Sequence, residues 1–371
     1  MANLFFIHTP LQLMIAQMII KQEHLIDNVM LCGYVDDNRH FLQIYEMTRI
    51  EEMWKVVEPM EDVARWAVFP RHKPFSGGIH AYTRYCFVRR IIRKYHINTL
   101  FLGDMWNASC QLAAMIFNRK GLRTCFFEEG NGHYIKPYNY GIGGGFLKNA
   151  YAILIDIFYY LPFYGVRMGY LSYWKGITFK DIPMDARYSV VPFYHEKFDI
   201  LLTIEPILSD KLINYIANEV RHVDQKIDAL FMTSPIYEWM GEHNENDEDI
   251  YVKTIVHYLK SMGKGTYIHI KFHPREKEHI RRRLLTELSK VNIDYTILGS
   301  EVNIPVEYYL LYLHYERIVM FLSSTSFYNG YLFPKVKFVS ILEDYYNNCK
   351  AADSQSVHLL EPLLKEIPYE I

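Results

Sequence analysis

Short apolar runs alternate with helical segments along most of the chain, and this alternation constrains the fold more than any other feature. It predicts strands at 3–7, 28–34, 99–103, 122–127, 227–232, 267–272, 294–298 and 318–322, and helices at 11–21, 107–119, 249–262 and 277–290. Strands and helices in alternation form parallel, doubly wound sheets. Because the pattern becomes irregular in the middle and restarts near residue 190, we expect an α/β protein with two Rossmann-like domains, 1–190 and 191–371.

Composition and motif content exclude several classes of protein. Of the 371 residues, 50% are hydrophobic and 22% are charged, which suffices for sizeable cores and excludes a disordered chain. The 40 Lys and Arg residues nearly balance the 42 Asp and Glu residues, so the net charge of −2 gives no sign of nucleic-acid binding. The sequence has no dinucleotide-binding glycine motif after a strand, no P-loop, no zinc-protease motif and no nucleophile elbow.

The cysteines and the apolar segments bear on the compartment. The five cysteines form no CxxC pair, which is typical of a reducing compartment and argues against a zinc knuckle. Residues 3–20 lack the basic leader of a signal peptide. Residues 150–171 are apolar, but Asp156, Pro162 and Arg167 interrupt them. We therefore predict a buried or membrane-touching segment there instead of a spanning helix.

Polar residues follow the predicted strands, where ligands bind in parallel sheets. They are His8-Thr9, Glu128-Glu129-Gly130, Thr233-Ser234, His273 and Ser323-Ser324-Thr325. In the pair Glu128-Glu129, two neighbouring carboxylates after two phenylalanines predict a raised pKa and a general base near neutral pH. A solvated acidic turn is the alternative.

Two further motifs suit a phosphate. Lys271 and His273 alternate along one strand end, so both can project to one side as a cationic pair. The hydroxyls of Ser323, Ser324 and Thr325 end another strand and are expected to open a helix, whose N-terminus binds anions. A charged strand terminus and an ordinary helix cap are the respective alternatives. Asp247-Glu248-Asp249 is expected to lie in an acidic loop.

The acid-acid-Gly, Lys-x-His-Pro and Ser-Ser-Thr motifs, in this order and spacing, resemble those of bacterial sialyltransferases. The opening Asn3–Gln12 also resembles that group, and the likeness spans about residues 3–330. It is greatest to the capsular polysialyltransferases and the related lipooligosaccharide sialyltransferases. The resemblance implies the GT-B fold, in which two Rossmann-like domains face each other across a deep cleft. It also implies an inverting, metal-independent reaction with CMP-sialic acid as donor and no cofactor.

The resemblance also implies roles for individual residues. Glu129 would be the general base, with Glu128 as the other candidate, and His273 would contact and protonate the CMP phosphate. The Glu-Glu pair departs from the Asp-Asp or Asp-Glu of many members, which leaves the geometry of the base open. The first domain would bind the acceptor and the second the donor. The residues expected to bind CMP or its phosphate are Lys271, Pro274, Ser323, Ser324, Thr325, Glu307, Thr233 and Ser234.

The acceptor is predicted from charge. Residues 61–100 contain eight Lys and Arg against two acids, which suits an anionic polymer, although a solvated helix face would look the same. The candidate acceptor-binding residues are Arg71, Lys73, Arg84, Arg89, Arg90, Arg93 and Lys94. We therefore expect a polysialyltransferase that extends oligo- or polysialic acid. The alternatives are a lipooligosaccharide enzyme that caps galactose once, a transferase using another nucleotide sugar, and a non-catalytic capsule-assembly protein.

The resemblance finally implies a location and partners. We expect a cytoplasmic protein, peripheral on the inner face of the bacterial inner membrane if bound there at all. Its expected partners are CMP-sialic acid, the anionic acceptor and a capsule-assembly complex, and no nucleic acid.

Overall fold

The computed structural model describes residues 2–33, 39–60, 74–103, 108–127, 183–191, 199–220, 226–238, 245–263, 265–323, 325–326, 332–333, 335–352 and 354. The chain divides into two compact units, Met1–Ser209 and Asp210–Ile371. Neither the acid pair Glu128-Glu129 nor Ser324 belongs to the described residues, and the same is true of Arg71, Lys73 and the apolar segment 150–171.

The first unit contains a parallel sheet. Its strands are β1 (Ala2–Ile7), β2 (Asn28–Gly33), β3 (Val56–Met60), β4 (Ile97–Leu102), β5 (Arg123–Phe127), β6 (Ala186–Ser189) and β7 (Ile200–Leu201). They pair in the order β3-β2-β1-β4-β5-β6-β7, and every neighbouring pair is parallel. This is the strand order of a Rossmann-like unit, because β1 has the second and fourth strands as its neighbours.

The helices of the first unit are α1 (Pro10–Gln22), α2 (Arg39–Thr48), α3 (Pro74–Tyr95) and α4 (Ala108–Arg119). Helix α1 begins where the sequence supplies a cap, since the Thr9 hydroxyl accepts the N–H of Gln12 at 3.2 Å and Pro10 is the first helical residue. Buried side chains of α3 and α4 pack with those of β1, β2, β4 and β5 in one apolar core. Because all the strands are parallel, the loops that follow them leave the sheet at one edge.

The second unit repeats the plan with five parallel strands. They are β8 (Ala229–Met232), β9 (Tyr267–Lys271), β10 (Asp294–Leu298), β11 (Arg317–Met320) and β12 (Lys337–Ser340), in the order β10-β9-β8-β11-β12. Its helices are α5 (Asp210–Val220), α6 (Glu245–Ser261), α7 (Glu278–Lys290), α8 (Val306–Tyr312) and α9 (Leu342–Ala351). The predicted α/β fold with two Rossmann-like units is confirmed by the two parallel sheets.

The structure also differs from the sequence-based predictions. Strand β6 lies in the irregular middle of the chain, where no strand was predicted, and β7 pairs with it in the first sheet. The first unit therefore extends beyond the predicted boundary at 190. Asp247-Glu248-Asp249 lies in the first turns of α6 and not in a loop, because acidic side chains are favourable near a helix N-terminus.

Among the described helices, none is long and apolar enough to span a bilayer.

Candidate active site

The predicted donor-site residues converge at one edge of the second sheet. Strands β8, β9 and β11 are parallel neighbours, so the residues after Met232, Lys271 and Met320 leave the sheet on the same side. The strand order reverses between β8 and β11, and ligands of such sheets bind at the carboxyl edge beside this reversal. Thr233, His273 and Ser323 all lie there.

His273 is held by its backbone and by one ring nitrogen. Its N–H donates to the Thr233 hydroxyl at 2.8 Å, and its carbonyl accepts from Arg281 Nη2 at 3.1 Å. The ring Nδ1 accepts the backbone N–H of Arg275 at 3.1 Å. A neutral ring with Nδ1 as acceptor carries its proton on Nε2. His273 therefore offers an Nε2–H donor at the sheet edge.

The sequence predicted that His273 and Lys271 would both be cationic, but the surroundings of His273 favour its neutral form. Burial, together with the smaller effects of the charges of Arg275, Lys271 and Arg281, lowers the pKa of His273 to about 4. The imidazole is therefore neutral at pH 7 in this arrangement. An arriving phosphate would oppose these effects, so protonation of the phosphate by His273 stays a prediction.

Glu276 anchors the segment that carries His273, and the sequence did not indicate this role. Its carboxylate accepts from the Tyr237 hydroxyl at 2.7 Å and the Tyr251 hydroxyl at 3.1 Å. Its N–H donates to the His273 carbonyl at 2.9 Å. Burial raises the pKa of Glu276, while hydrogen bonds from Tyr237, Thr233 and Tyr251 oppose the rise. The Thr233 hydroxyl thus links Glu276 to His273, and the Ser234 N–H contacts the Tyr251 hydroxyl at 3.3 Å.

Lys271 is buried beside acidic groups of the same unit. Its ammonium contacts Asn303 Oδ1 and lies 5.9 Å from the centre of the Tyr309 ring. Burial lowers the pKa of Lys271 to about 7, the charges of Glu219 and Glu307 oppose this shift, and that of Arg281 adds to it. Lys271 is therefore partly charged at neutral pH, and a nearby anion would favour its charged form.

Glu307 contacts the hydroxyl motif and lies near the charge of Lys271, while its role in binding the nucleotide stays a prediction. The Thr325 hydroxyl donates to Glu307 Oε1 at 2.8 Å, and the Ser323 hydroxyl donates to Thr325 Oγ1 at 3.1 Å. Burial raises the pKa of Glu307, opposed by Thr325 and Lys271. Ser326 turns back onto Ser323, since its hydroxyl donates to the Ser323 carbonyl at 2.7 Å and its N–H to the same carbonyl at 3.3 Å. The helix expected after this turn falls outside the described residues.

The sequence did not single out Glu219 or Gly299. Glu219, in α5, accepts the Gly299 N–H at 2.6 Å and the Tyr309 hydroxyl at 2.5 Å. Gly299 has φ +70°, and a Cβ there would lie 2.8 Å from Lys271 Nζ. A glycine is therefore needed both for the backbone conformation and for the space that the ammonium occupies. The only signal in the sequence was its position directly after a predicted strand.

Arg281 is a further cation at this edge. Its guanidinium lies 5.2 Å from the centre of the Phe272 ring, and its buried Nε has no hydrogen-bond partner among the described residues. Pro274, by contrast, is exposed, and its role at the nucleotide stays a prediction.

The first unit carries the other candidates. Strand β5 ends at Phe127, so Glu128-Glu129 follow the strand directly, as expected, but these two residues are not described. Helix α3 carries the basic residues from Arg84 onward, and the side chain of Arg84 is not described. Arg89 Nη1 donates to the Tyr85 hydroxyl at 3.0 Å. The other contacts are those of Arg90 with the Phe87 ring and Lys94 with Glu58 at 2.7 Å, whereas Arg93 is exposed.

Several known proteins are similar to this chain. The spinosyn rhamnosyltransferase SpnG shares 12% identity over 97% of this chain and 89% of its own, with a TM-score of 0.45. A UDP-GlcNAc 2-epimerase from Methanocaldococcus jannaschii shares 12% identity over 98% and 100%, with a TM-score of 0.45. MurG from Acinetobacter baumannii shares 8% identity over 88% and 74%, with a TM-score of 0.40. No curated protein matches the sequence.

The family model for alpha-2,8-polysialyltransferase (POLYST) matches residues 3–342, which is nearly the whole chain. A glycosyltransferase of this kind uses a nucleotide-sugar donor and a sialylated acceptor. The chain therefore belongs to the alpha-2,8-polysialyltransferase family of glycosyltransferases.

Proposed function

We propose that this enzyme transfers sialic acid from CMP-sialic acid to the end of a sialylated acceptor and so builds capsular polysialic acid. The observation that carries this proposal is the edge of the second sheet, where two cations and an Nε2–H donor converge. They belong to Lys271, Arg281 and His273. Such a set suits the phosphate of a nucleotide sugar. The family match supports sialic acid as the sugar.

The chemistry is a single displacement with inversion. The acceptor hydroxyl oxygen forms a bond to C2 of the donor sialic acid while the bond from C2 to the phosphate oxygen breaks. The hydroxyl proton passes to the carboxylate of Glu129, or to Glu128 if that residue is the base. CMP leaves with the electron pair of the broken bond, and hydrogen bonds and cations stabilise its charge.

The donor-site residues divide this work. His273 donates its Nε2–H to the leaving phosphate and gains basicity as negative charge develops there. Lys271 becomes fully charged when the phosphate binds, since an anion raises its pKa from about 7. Glu307, which already accepts from Thr325, binds the cytidine ribose by its remaining acceptor capacity. Neither a metal ion nor a cofactor has a step in this mechanism.

The test is an assay of purified protein with CMP-sialic acid and fluorescent oligosialic acid in the presence of EDTA. We expect a ladder of longer products, resolved by chain length. A single addition to lactose-type acceptors, with none to oligosialic acid, would instead establish a lipooligosaccharide enzyme. Release of UDP or another nucleotide from a different donor would identify another transferase, and CMP binding without turnover on any acceptor would indicate a non-catalytic protein. Loss of product with EDTA would refute metal independence.

Location and assembly belong to the same proposal. The enzyme acts in the cytoplasm or on the inner face of the inner membrane, where it meets a capsule-assembly complex. Fractionation of cells that make the capsule, followed by detection of the enzyme with and without a high-salt wash, tests this. Release by salt is the expected result for a peripheral protein.

A further inference from the structure

The carboxyl edge of the first sheet has its own point of reversal, between β1 and β4. His8 and Thr9 follow β1, and Gly103 follows β4. His8 is 1% exposed and Gln12, in the first turns of α1, is fully buried. A polar side chain buried at such an edge is unusual unless it has a hydrogen-bond partner.

The Gln12 amide has a determined orientation. Its Oε1 accepts the N–H of His8 at 2.6 Å and that of Thr9 at 3.3 Å. Since both contacts are donors, the oxygen must face them and the amide nitrogen must face away. That nitrogen, Nε2, is buried without a hydrogen-bond partner among the described residues.

Gly103 shows where the amide lies. A Cβ at Gly103 would be 2.8 Å from Gln12 Cδ and 2.7 Å from Phe127 Cε2. The amide therefore lies against the end of β4, between the ends of β1 and β5, where only a glycine leaves room for it. This is the place at which doubly wound sheets bind their ligands.

His8 adds a second unsatisfied atom at the same place. Its Nε2 lies 3.2 Å from Cys110 Sγ in α4, while its Nδ1 is buried and lacks a partner among the residues that the structure describes. Burial lowers the pKa of His8 to about 4, so the ring is uncharged at neutral pH. Together the two side chains offer an amide N–H donor and one ring nitrogen, both without charge.

We propose that His8 and Gln12 form a subsite that binds one hydroxyl group of the acceptor's terminal sugar. A hydroxyl both accepts and donates, so it can accept from Gln12 Nε2 and exchange the second hydrogen bond with His8 Nδ1. A phosphate or carboxylate would bring a charge that neither side chain can neutralise. The cations of the second unit suit the donor phosphate, whereas the uncharged pair His8 and Gln12 suits a hydroxyl of the acceptor. This inference rests on the proposed function.

The chain supplies a matched control for the test on α1 itself. Gln17 is equally buried, but its Oε1 accepts the Ile50 N–H at 2.7 Å and its Nε2 donates to the Thr48 carbonyl at 3.4 Å. The fold therefore already satisfies the Gln17 amide. Gln12→Glu keeps the oxygen that caps α1 and removes both amide hydrogens, and Gln17→Glu makes the same chemical change away from the subsite.

The experiment measures KM for donor and for oligosialic acid in wild type and both variants, together with Tm. We expect Gln12→Glu to raise the acceptor KM by about tenfold, the effect of one lost hydrogen bond, with the donor KM unchanged. Gln17→Glu should lower Tm and leave both KM values unchanged. Equal behaviour of the two variants would overturn the inference.

Acceptors that each lack one hydroxyl of the terminal sugar identify the group that is bound. For one of these acceptors we expect the KM of the wild-type enzyme to be about tenfold higher than for the complete acceptor. With Gln12→Glu the same acceptor should show no additional rise in KM, because its hydrogen-bond partner is already missing. Independent losses for every acceptor would refute the subsite. If Gln12→Glu does not fold, His8→Phe replaces it in the same experiment, because this variant keeps a buried ring and removes the ring nitrogen that would contact the hydroxyl. A wild-type enzyme that elongates no sialylated acceptor would refute the proposed function as well, whereas normal elongation without this coupling would refute the subsite alone.

Discussion

The two sheet edges are built on the same strand order, but the polar residues that the structure describes at each edge differ in their chemistry. At the second edge, Lys271, Glu307 and His273 interact with further ionisable groups of the same unit. At the first edge, His8 and Gln12 are uncharged, and each retains a buried atom without a partner among the described residues. A shared scaffold thus leaves the ligand chemistry to the few residues that follow each strand.

The comparison also separates two kinds of buried carboxylate. Glu276 accepts hydrogen bonds from two tyrosines and binds the backbone of the His273 segment, so its role is to position. Glu307 lies beside Lys271 and Thr325, so its role is tied to the donor site. Burial raises the pKa of both. A raised pKa therefore does not distinguish the two roles, whereas their partners do.

The largest effect is expected from Glu129→Gln, which removes the proposed base from the first unit. We predict a loss of about 10³-fold in kcat, within the usual contribution of a general base, with the affinity for CMP unchanged. Product formation and CMP calorimetry measure the two quantities. Glu128→Gln is the matched control, and a greater loss with that variant would assign the base to Glu128.

Glu276→Gln tests whether the second edge depends on its anchor. An amide offers one acceptor oxygen to two tyrosine donors, so we expect the free energy of unfolding to fall by about 1–3 kcal/mol. We also expect kcat to fall by up to about 10²-fold because His273 shifts. Denaturant unfolding and steady-state kinetics measure these effects.

Glu248→Gln is the control for the anchor, because Glu248 pairs with Lys277 and His279 on the outer side of the same segment. It should leave kcat nearly unchanged. If Glu248→Gln lowers kcat as much as Glu276→Gln does, then any weakening of this segment lowers kcat and Glu276 has no specific role as its anchor.

The charge of Lys271 predicts the pH dependence of donor binding. Its pKa is lowered to about 7, so the ammonium is charged below that pH and loses its proton above it. We therefore expect the Kd of CMP to rise as pH increases from 7, by up to about tenfold per pH unit, the limit for one coupled proton. Calorimetry between pH 6 and 9 measures this slope. The slope should vanish in Lys271→Met, and an equal slope in that variant would assign it to another group.

The smallest effect is expected at helix α3, which carries cationic side chains of the first unit. Arg93 is exposed, whereas Lys94 is already paired with Glu58 at 2.7 Å. Arg93→Ala should raise KM for long oligosialic acid by about twofold to fivefold at low salt and less at high salt. Lys94→Ala should change it less. If the wild-type KM for long oligosialic acid does not depend on salt, then electrostatic attraction does not contribute to acceptor binding.

Sequence alone located the long apolar strands and the polar residues that end them. Strands β1, β5, β8, β9 and β10 were predicted within a few residues of their observed bounds. Strands β3, β6 and β12 were missed, and so was the two-residue strand β7. Their short sequences lack a continuous apolar run, and only pairing with a neighbouring strand stabilises them. The acidic start of α6 was read as a loop, although Asp247 is buried and accepts from the Ser354 hydroxyl at 2.6 Å.

The sequence by itself determined which chemical groups lie at each strand end. An apolar run predicts a buried strand, so the polar residues that follow the run mark the place where the strand leaves the core. The tertiary structure decided their partners and charges. Glu219 and Gly299 come from distant parts of the chain, and their positions set the surroundings of the Lys271 ammonium. Likewise, the neutral state of His273 follows from burial and from cations brought near it by folding. A pKa depends on every charge within a few ångströms, and only the folded chain specifies those distances.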